Sequence, residues 1–383
     1  MPHTLADVLP AVAASFGMAV DNSLDLVTGR DVVVLLIDGL GAELLTRHRE
    51  VAPTLAGHVA TNVNAGFPAT TAAGIASLAL GAPCATHGII GYSFAVPDPG
   101  GMRLLNALRW RLDSATGPDA RTEYPPETVQ RGTSRLQDLA AHGVDVHYVV
   151  PEYQRRSGLT RAAFRATGIL HPAADLDQVC SGIRTVANHS GPGRRFAYAY
   201  FPDLDAAGHL YGPGSPQWQD VLAAVDAGIA DLLTDLPSTC TLLVTGDHGM
   251  IRADTVIDLD SRPALRRDVR LIGGEARVRH VYLERPEGAA DVAAVWTGEL
   301  SGHAQVAGRE QVLDEQWFGP APGPEIRGRI GDLVVVAQGH SVLVCPDREP
   351  MESAMIGHHG ARTADEQLVP LIVAGGEYLA RRS

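Results

Sequence analysis

Val32-Val33-Val34-Leu35-Leu36-Ile37-Asp38-Gly39 reads as a buried strand that carries one carboxylate to its tip and then turns. Six consecutive apolar residues, mostly β-branched, suit a strand covered on both faces. Similar short runs follow at Val146–Val150, Phe196–Phe201, Thr241–Thr245, Leu333–Ala337 and Leu368–Ala374, each bounded by Gly, Asp or Pro. Longer helical patterns lie between them, at Ala42–His48, Thr71–Leu80, Thr133–Ala141 and Trp218–Leu233. Strand and helix alternating in this way predict an α/β fold, a largely parallel sheet flanked by helices on both faces. Reactive side chains are then expected at the carboxyl ends of the strands.

Two stretches interrupt the alternation. Residues 96–130, rich in Pro, Gly, Asp and Arg, read as an excursion over the surface. Residues 265–340 carry strand-like runs of their own (Val278–Leu283, Val292–Trp296, Leu333–Ala337) and a loop, Phe318–Gly323, rich in Pro and Gly. They are expected to form a smaller inserted α/β subdomain, leaving 1–264 and 341–383 as the core. Both ends of such an insert would lie near the site described below, so it is expected to flank the leaving-group pocket.

The chain has 383 residues and a net charge of −13, and all 31 of its Lys plus Arg residues are arginine. Without lysine there is no Gly-Lys-Ser/Thr phosphate loop and no Schiff-base chemistry. An acidic balance argues against a nucleic-acid duplex as partner. No apolar run approaches the ~20 residues a bilayer span needs. The first basic residue is Arg30, unlike a secretory leader. Four scattered cysteines make neither a disulfide framework nor a zinc knuckle. A cytoplasmic protein acting on small molecules, away from membranes, is the expectation; the oligomeric state is left open.

Four segments place acids or histidines where strands end. Asp38-Gly39 closes the first strand. Asp205 and His209 are four apart, so one helical turn aims both at one point. Asp247-His248 stands between two glycines directly after the Thr241–Thr245 strand, and a His358-His359 pair precedes Gly360. Three aspartates and three histidines are enough for two ions with three protein ligands each, oxygen and nitrogen donors that suit zinc. Two such ions can hold the attacking and leaving oxygens of an in-line displacement at phosphorus. Phe67-Pro68-Ala69-Thr70-Thr71 supplies a hydroxyl at a helix start, where free N–H groups favour a phosphoryl oxygen. Either threonine could serve instead as a cap.

Taken in order, Asp-Gly after the first strand, Phe-Pro-x-x-Thr, Asp-x-x-Gly-His-x-x-Gly-Pro, Asp-His-Gly-Met and His-Gly resemble the nucleotide pyrophosphatase/phosphodiesterase family of the alkaline phosphatase superfamily. The motifs run from residue 32 to about 374, so the resemblance covers most of the chain. It implies an alkaline-phosphatase-like core and two zinc sites. Asp38, Asp247 and His248 would hold the ion that activates the nucleophile, with Thr71 as a further ligand; Asp205, His209 and His359 would hold the other. The family's spacing from Phe67 and to Gly81 selects Thr71 as nucleophile, and adjacency to Gly360 selects His359. It also implies a covalent phosphothreonine intermediate and hydrolysis of phosphate diesters or nucleotide pyrophosphates.

One position departs from the resemblance. The family usually has an asparagine three residues after the threonine, and here Gly74 stands there. The phosphoryl oxygen is then expected to rely on metals, backbone N–H groups or another donor. A sulfatase would need Cys-x-Pro-x-Arg, whereas Cys84 is followed by Ala-Thr-His. A phosphoglycerate mutase would use serine and more positive charge. Phosphonate or phosphomonoester hydrolysis, and a non-catalytic metal-stabilised binding module, are the remaining alternatives.

Overall fold

The computed structural model describes residues 3–165, 168–189 and 191–375. Its centre is a seven-stranded sheet in the order Val59–Asn64, Leu368–Gly375, Cys240–Thr245, Asp31–Ile37, Arg195–Phe201, Asp145–Val150, Ile169–Pro172. The last five are mutually parallel, and only Leu368–Gly375 runs against its neighbours. The Asp31–Ile37 strand shows why the sheet is covered on both faces. Val32, Val34 and Leu36 enter one apolar core, while Val33, Leu35 and Ile37 enter the other. The alternation of a strand thus divides one continuous apolar run between two layers of helices.

Direction decides where the chemistry gathers. Cys240–Thr245, Asp31–Ile37 and Arg195–Phe201 are adjacent and parallel, so the residues following each meet at one edge. Leu368–Gly375 is antiparallel, so the loop before it reaches the same edge. Helices Thr71–Leu80 and Asp203–Tyr211 start at that edge too, and the 20-residue helix Pro216–Asp235 packs behind the latter. No helix among the described residues is long and apolar enough to cross a membrane.

Residues 265–340 contain a four-stranded antiparallel sheet, ordered Val269–Glu275, Val278–Leu283, Leu333–Ala337, Ala304–Gly308. Leu333–Ala337 therefore belongs to this sheet and not to the central one. The expected strand Val292–Trp296 is instead part of helix Ala289–Glu299. Val292 and Trp296 are buried while Val295 is exposed, a helical period that a window of five apolar residues conceals. The stretch read as a surface excursion is also more structured than expected. It holds a three-stranded sheet, Ser93–Asp98, Gly101–Asn106 and Arg111–Leu112, with Phe94, Leu105 and Trp110 buried.

A hairpin of the smaller sheet turns at Ala276 and Arg277, with Glu275 half-buried beside the turn and its Oε1 shielded from solvent. One Glu275 oxygen accepts from the Tyr92 N–H at 2.9 Å; the other has no partner among the described residues. Burial, with Glu349 and Glu366 nearby, outweighs the Tyr92 N–H and Arg279 and pushes its carboxyl up to about 8 from an ordinary 4.5. A raised carboxyl keeps its proton in the folded chain after the unfolded chain has lost it. Stability therefore falls as pH rises between those two values, by at most about 1.4 kcal/mol per pH unit. Unfolding followed by urea titration from pH 5 to 8 should show this decline, and Glu275→Gln should flatten it. A parallel decline in the variant would assign the pH dependence to other groups.

Candidate metal centre and substrate cleft

Asp38 leaves its strand through Gly39, whose φ is +76° and whose missing side chain makes room for Asp205. A Cβ at Gly39 would sit 3.0 Å from the Asp205 Cα. Asp205 and His209 lie one turn apart on helix Asp203–Tyr211, with His209 Nε2 3.2 Å from Asp205 Oδ2. Asp247 follows its strand and accepts the Gly39 N–H at 3.2 Å. His248 Nε2 stands 3.3 Å from Asp38 Oδ1 and 3.7 Å from Asp247 Oδ2. His359 Nε2 is 3.9 Å from Asp205 Oδ1.

The donors form two groups, Asp38, Asp247, His248 and Asp205, His209, His359; within each, one ligand atom per residue lies within 4.8 Å of the others. These are the two triplets named from the sequence and its family resemblance. The groups share a wall, because the rings of His248 and His359 stack with centroids 3.5 Å apart. His358 is not part of either. Its Nε2 lies 3.0 Å from the Met355 carbonyl, and burial lowers its pKa to about 4.

All three histidines are oriented alike. Nδ1 of His209, His248 and His359 contacts the carbonyls of Gly357, Gly249 and Ala69 at 2.8, 2.9 and 2.9 Å. A carbonyl can only accept, so each Nδ1 carries the proton and Nε2 faces the centre. Asp38 Oδ2 accepts from the Tyr200 hydroxyl. What remains is three buried carboxylate oxygens, Asp38 Oδ1, Asp205 Oδ1 and Asp247 Oδ2, with no hydrogen-bond partner among the described residues.

Electrostatics match this picture. Burial and then Asp205 raise Asp38 above the usual carboxylate range, and burial, Asp38 and Asp205 raise Asp247. Burial opposes ionisation of Asp205 as well, yet His209, His359 and His248 beside it hold its carboxyl low. Burial disfavours the charged form of His248, but Asp247 and Asp38 overcome it and push its pKa up to about 10. His359 is driven well down by burial and by the stacked His248. The centre thus draws in positive charge, and orphaned oxygens with inward Nε2 atoms suit a divalent cation.

Thr71 is the first residue of helix Thr71–Leu80, and its Oγ1 is 3.1 Å from His248 Nε2. Thr70 occupies the cap position, but its side chain makes no capping hydrogen bond. Gly74 is explained by packing. A Cβ there would meet the Asp247 carbonyl at 2.7 Å and its Cβ at 2.9 Å, so the helix can approach Asp247 only with glycine. An asparagine does not fit at this position.

A cleft of about 410 Å³ opens from Asp38, Thr71 and Asp205. Its walls include Leu108, Arg109, Arg111, Arg121, Tyr153 and Tyr198. None of the residues lining this cleft comes from 265–340. The segment lies behind the site. Trp317 and Phe318 pack on Phe67, and Arg362 stacks over the rings of Trp317 and Phe67 at 3.7 and 4.6 Å. Tyr200 and the cleft walls were missed in the sequence. The same-face pair Tyr198 and Tyr200 in an otherwise apolar strand was the available signal for the former.

The family model for type I phosphodiesterase / nucleotide pyrophosphatase matches residues 32–362. Human bis(5'-adenosyl)-triphosphatase ENPP4 is 37% identical over 97 residues, and the bovine protein 31% over 97. Each alignment covers 23% of this chain, and the chain spans only 21% of the length of these curated relatives. Murine ectonucleotide pyrophosphatase / phosphodiesterase 5, solved as an inactive threonine-to-alanine form with AMP, superposes with a TM-score of 0.66 at 18% identity. That superposition covers 91% of this chain and 88% of the murine one. The human counterpart gives 0.65 at 19%, over 90% and 87%. The structural likeness shows the shared fold, and the match across 32–362 shows that the chain belongs to the type I phosphodiesterase / nucleotide pyrophosphatase family.

Proposed function

We propose that this protein hydrolyses phosphate diesters or nucleotide pyrophosphates with Thr71 as nucleophile and two divalent cations, zinc, as cofactors. The observation that carries the reading is the set of three orphaned carboxylate oxygens and three inward Nε2 atoms in two adjoining groups, with the Thr71 hydroxyl 3.1 Å from His248 Nε2. Asp38, Asp247 and His248 would hold one cation beside Thr71, and Asp205, His209 and His359 the other. Three protein ligands each leave positions open, and the oxygen and nitrogen donors fit zinc. Bound there, the cations supply Lewis-acid stabilisation of the charge on phosphoryl and leaving oxygens.

The chain's own groups divide the remaining work. Thr71 Oγ1 bonds to phosphorus as the bond to the leaving oxygen breaks, its proton passing to that oxygen; water then adds to phosphorus and returns one proton to Thr71 Oγ1 as the phosphoryl group leaves. The free N–H groups of the first turn of helix Thr71–Leu80 face the phosphoryl oxygens, and the helix dipole favours their charge. With Gly74 closing off any side chain at that position, these N–H groups replace a side-chain amide. The AMP bound by the murine relative accords with a nucleotide as one part of the substrate.

Elemental analysis should find two divalent ions per chain, and chelation should abolish turnover of bis-p-nitrophenyl phosphate and of a dinucleoside polyphosphate. An active preparation holding one ion or none would exclude the reading. Thr71→Ala should lose turnover and covalent labelling while keeping both ions; Thr70→Ala should lose little, since no cap bond is broken. A label mapped to Thr70, or turnover persisting in Thr71→Ala, would reassign the nucleophile. Asp247→Ala should cost ~10²-fold or more in rate, by analogy with the loss of ligand geometry at metal sites.

The cleft wall generates a second test. Arg109 is exposed, and its guanidinium makes no hydrogen bond or ion pair among the described residues, unlike Arg121 with Asp119. A free guanidinium facing a phosphoryl cleft suits a second anionic group of the substrate. Arg109→Ala should raise KM for a nucleotide pyrophosphate ~10-fold while leaving that for bis-p-nitrophenyl phosphate nearly unchanged. Equal effects on both substrates would place Arg109 outside leaving-group recognition.

A further inference from the structure

Arg277 sits in the hairpin turn between Val269–Glu275 and Val278–Leu283 and is fully buried. Its Nε and one terminal nitrogen clasp both oxygens of Glu366, at 2.9 and 2.7 Å. The same fork donates to the carbonyls of Ser341 and Gly339, so the guanidinium is held in one plane. Glu366, also fully buried, has further bonds that lead to the metal centre. Its Oε1 accepts the Ala361 N–H at 2.9 Å and its Oε2 the Thr363 hydroxyl at 2.6 Å. These fix the turn that begins directly after His359. Its backbone carbonyl accepts the Gly249 N–H at 2.8 Å, and the Gly249 carbonyl is the group that orients His248.

We infer that Arg277 is a positioning residue for the metal centre, which aligns Glu366 so that one residue holds the His248 and His359 loops in register. A buried ion pair is a poor way to gain stability alone, because desolvation offsets most of its attraction, and an apolar pair of similar size serves as well. An apolar pair cannot accept the Ala361 N–H and the Thr363 hydroxyl together. The rigid bidentate fork sets the plane of the carboxylate, which an ammonium does not. The inserted segment thereby acts on the site from behind, through its hairpin tip, while contributing nothing to the cleft lining.

The inference rests on the reading of His248 and His359 as metal ligands, and the test separates the two. Zn²⁺ is titrated into metal-stripped full-length protein against a competing chelator, with thermal unfolding followed on the same samples. Arg277→Lys keeps the charge without the fork, and should weaken Zn²⁺ binding at one or both sites by ~10–100-fold, the range seen when partners of ligands are lost. Its unfolding midpoint should fall, because the Ser341 and Gly339 carbonyls lose donors, so affinities are read well below each variant's midpoint. Arg277→Met/Glu366→Met, an apolar pair, should fold and still bind Zn²⁺ weakly. Wild-type affinity in either variant overturns the positioning role. A wild-type chain that binds no Zn²⁺ overturns the metal reading, and this inference with it.

Discussion

Asp38, Asp205 and Asp247 each keep one buried carboxylate oxygen without a hydrogen-bond donor among the described residues. An arrangement of that kind is costly in an interior, where an unpaired negative group lacks both water and counter-charge. The architecture accepts the cost because adjacent parallel strands ending in acids cannot avoid bringing them together. Cys240–Thr245, Asp31–Ile37 and Arg195–Phe201 run side by side in one direction, and a carboxylate follows each. Positive charge must complete the cluster. His248, held high by its acidic neighbours, shows how strongly the site draws it.

Around this cluster the backbone orients the histidines more than the side chains do. Three carbonyls, of Gly357, Gly249 and Ala69, hold the three Nδ1 atoms, so ring orientation is inherited from loop geometry. The loops must then be rigid. That requirement explains why so much buried polar machinery lies behind the site, with Glu366 at its middle and Arg277 reaching in from the smaller sheet.

The acids and their strands were legible in the sequence because the signals are local. An apolar run ending in Asp38, an i to i+4 spacing of Asp205 and His209, and Asp247-His248 between glycines each state their geometry within a few residues. Thr71 against Thr70 and His359 against His358 are not local choices. Both threonines and His358 are buried and His359 is half-buried, and only the positions of distant carbonyls and rings separate them. The spacing of the family motifs favours Thr71 and His359. Arg277 with Glu366 was invisible for the same reason, since a pairing across 89 positions leaves no periodicity to read. The strand Val59–Asn64 was missed because it lies at a sheet edge and is half polar, and Val292–Trp296 was misread because five residues do not distinguish period 2 from period 3.6.

Gly74 fixes another close contact in the site. The helix that begins with Thr71 lies against the Asp247 backbone so closely that no Cβ is admitted one turn in. This contact sets the distance between the helix start and His248, and with it the 3.1 Å separation of the threonine oxygen from the ring. Glycine here trades away any side-chain donor near Thr71 for a fixed approach of the helix N-terminus. Other side-chain donors to the cleft lie farther out. The walls that remain are the 108–121 and 153–160 segments, where Trp110, buried at a φ of +53°, anchors a loop against Gly158 and presents Arg109 to the cleft. A bulky residue held in the left-handed region persists only where surrounding packing enforces it. The division follows from position in the fold: the smaller sheet reaches the His248 and His359 loops through Arg277 and Glu366, and the 108–121 loop lines the cleft.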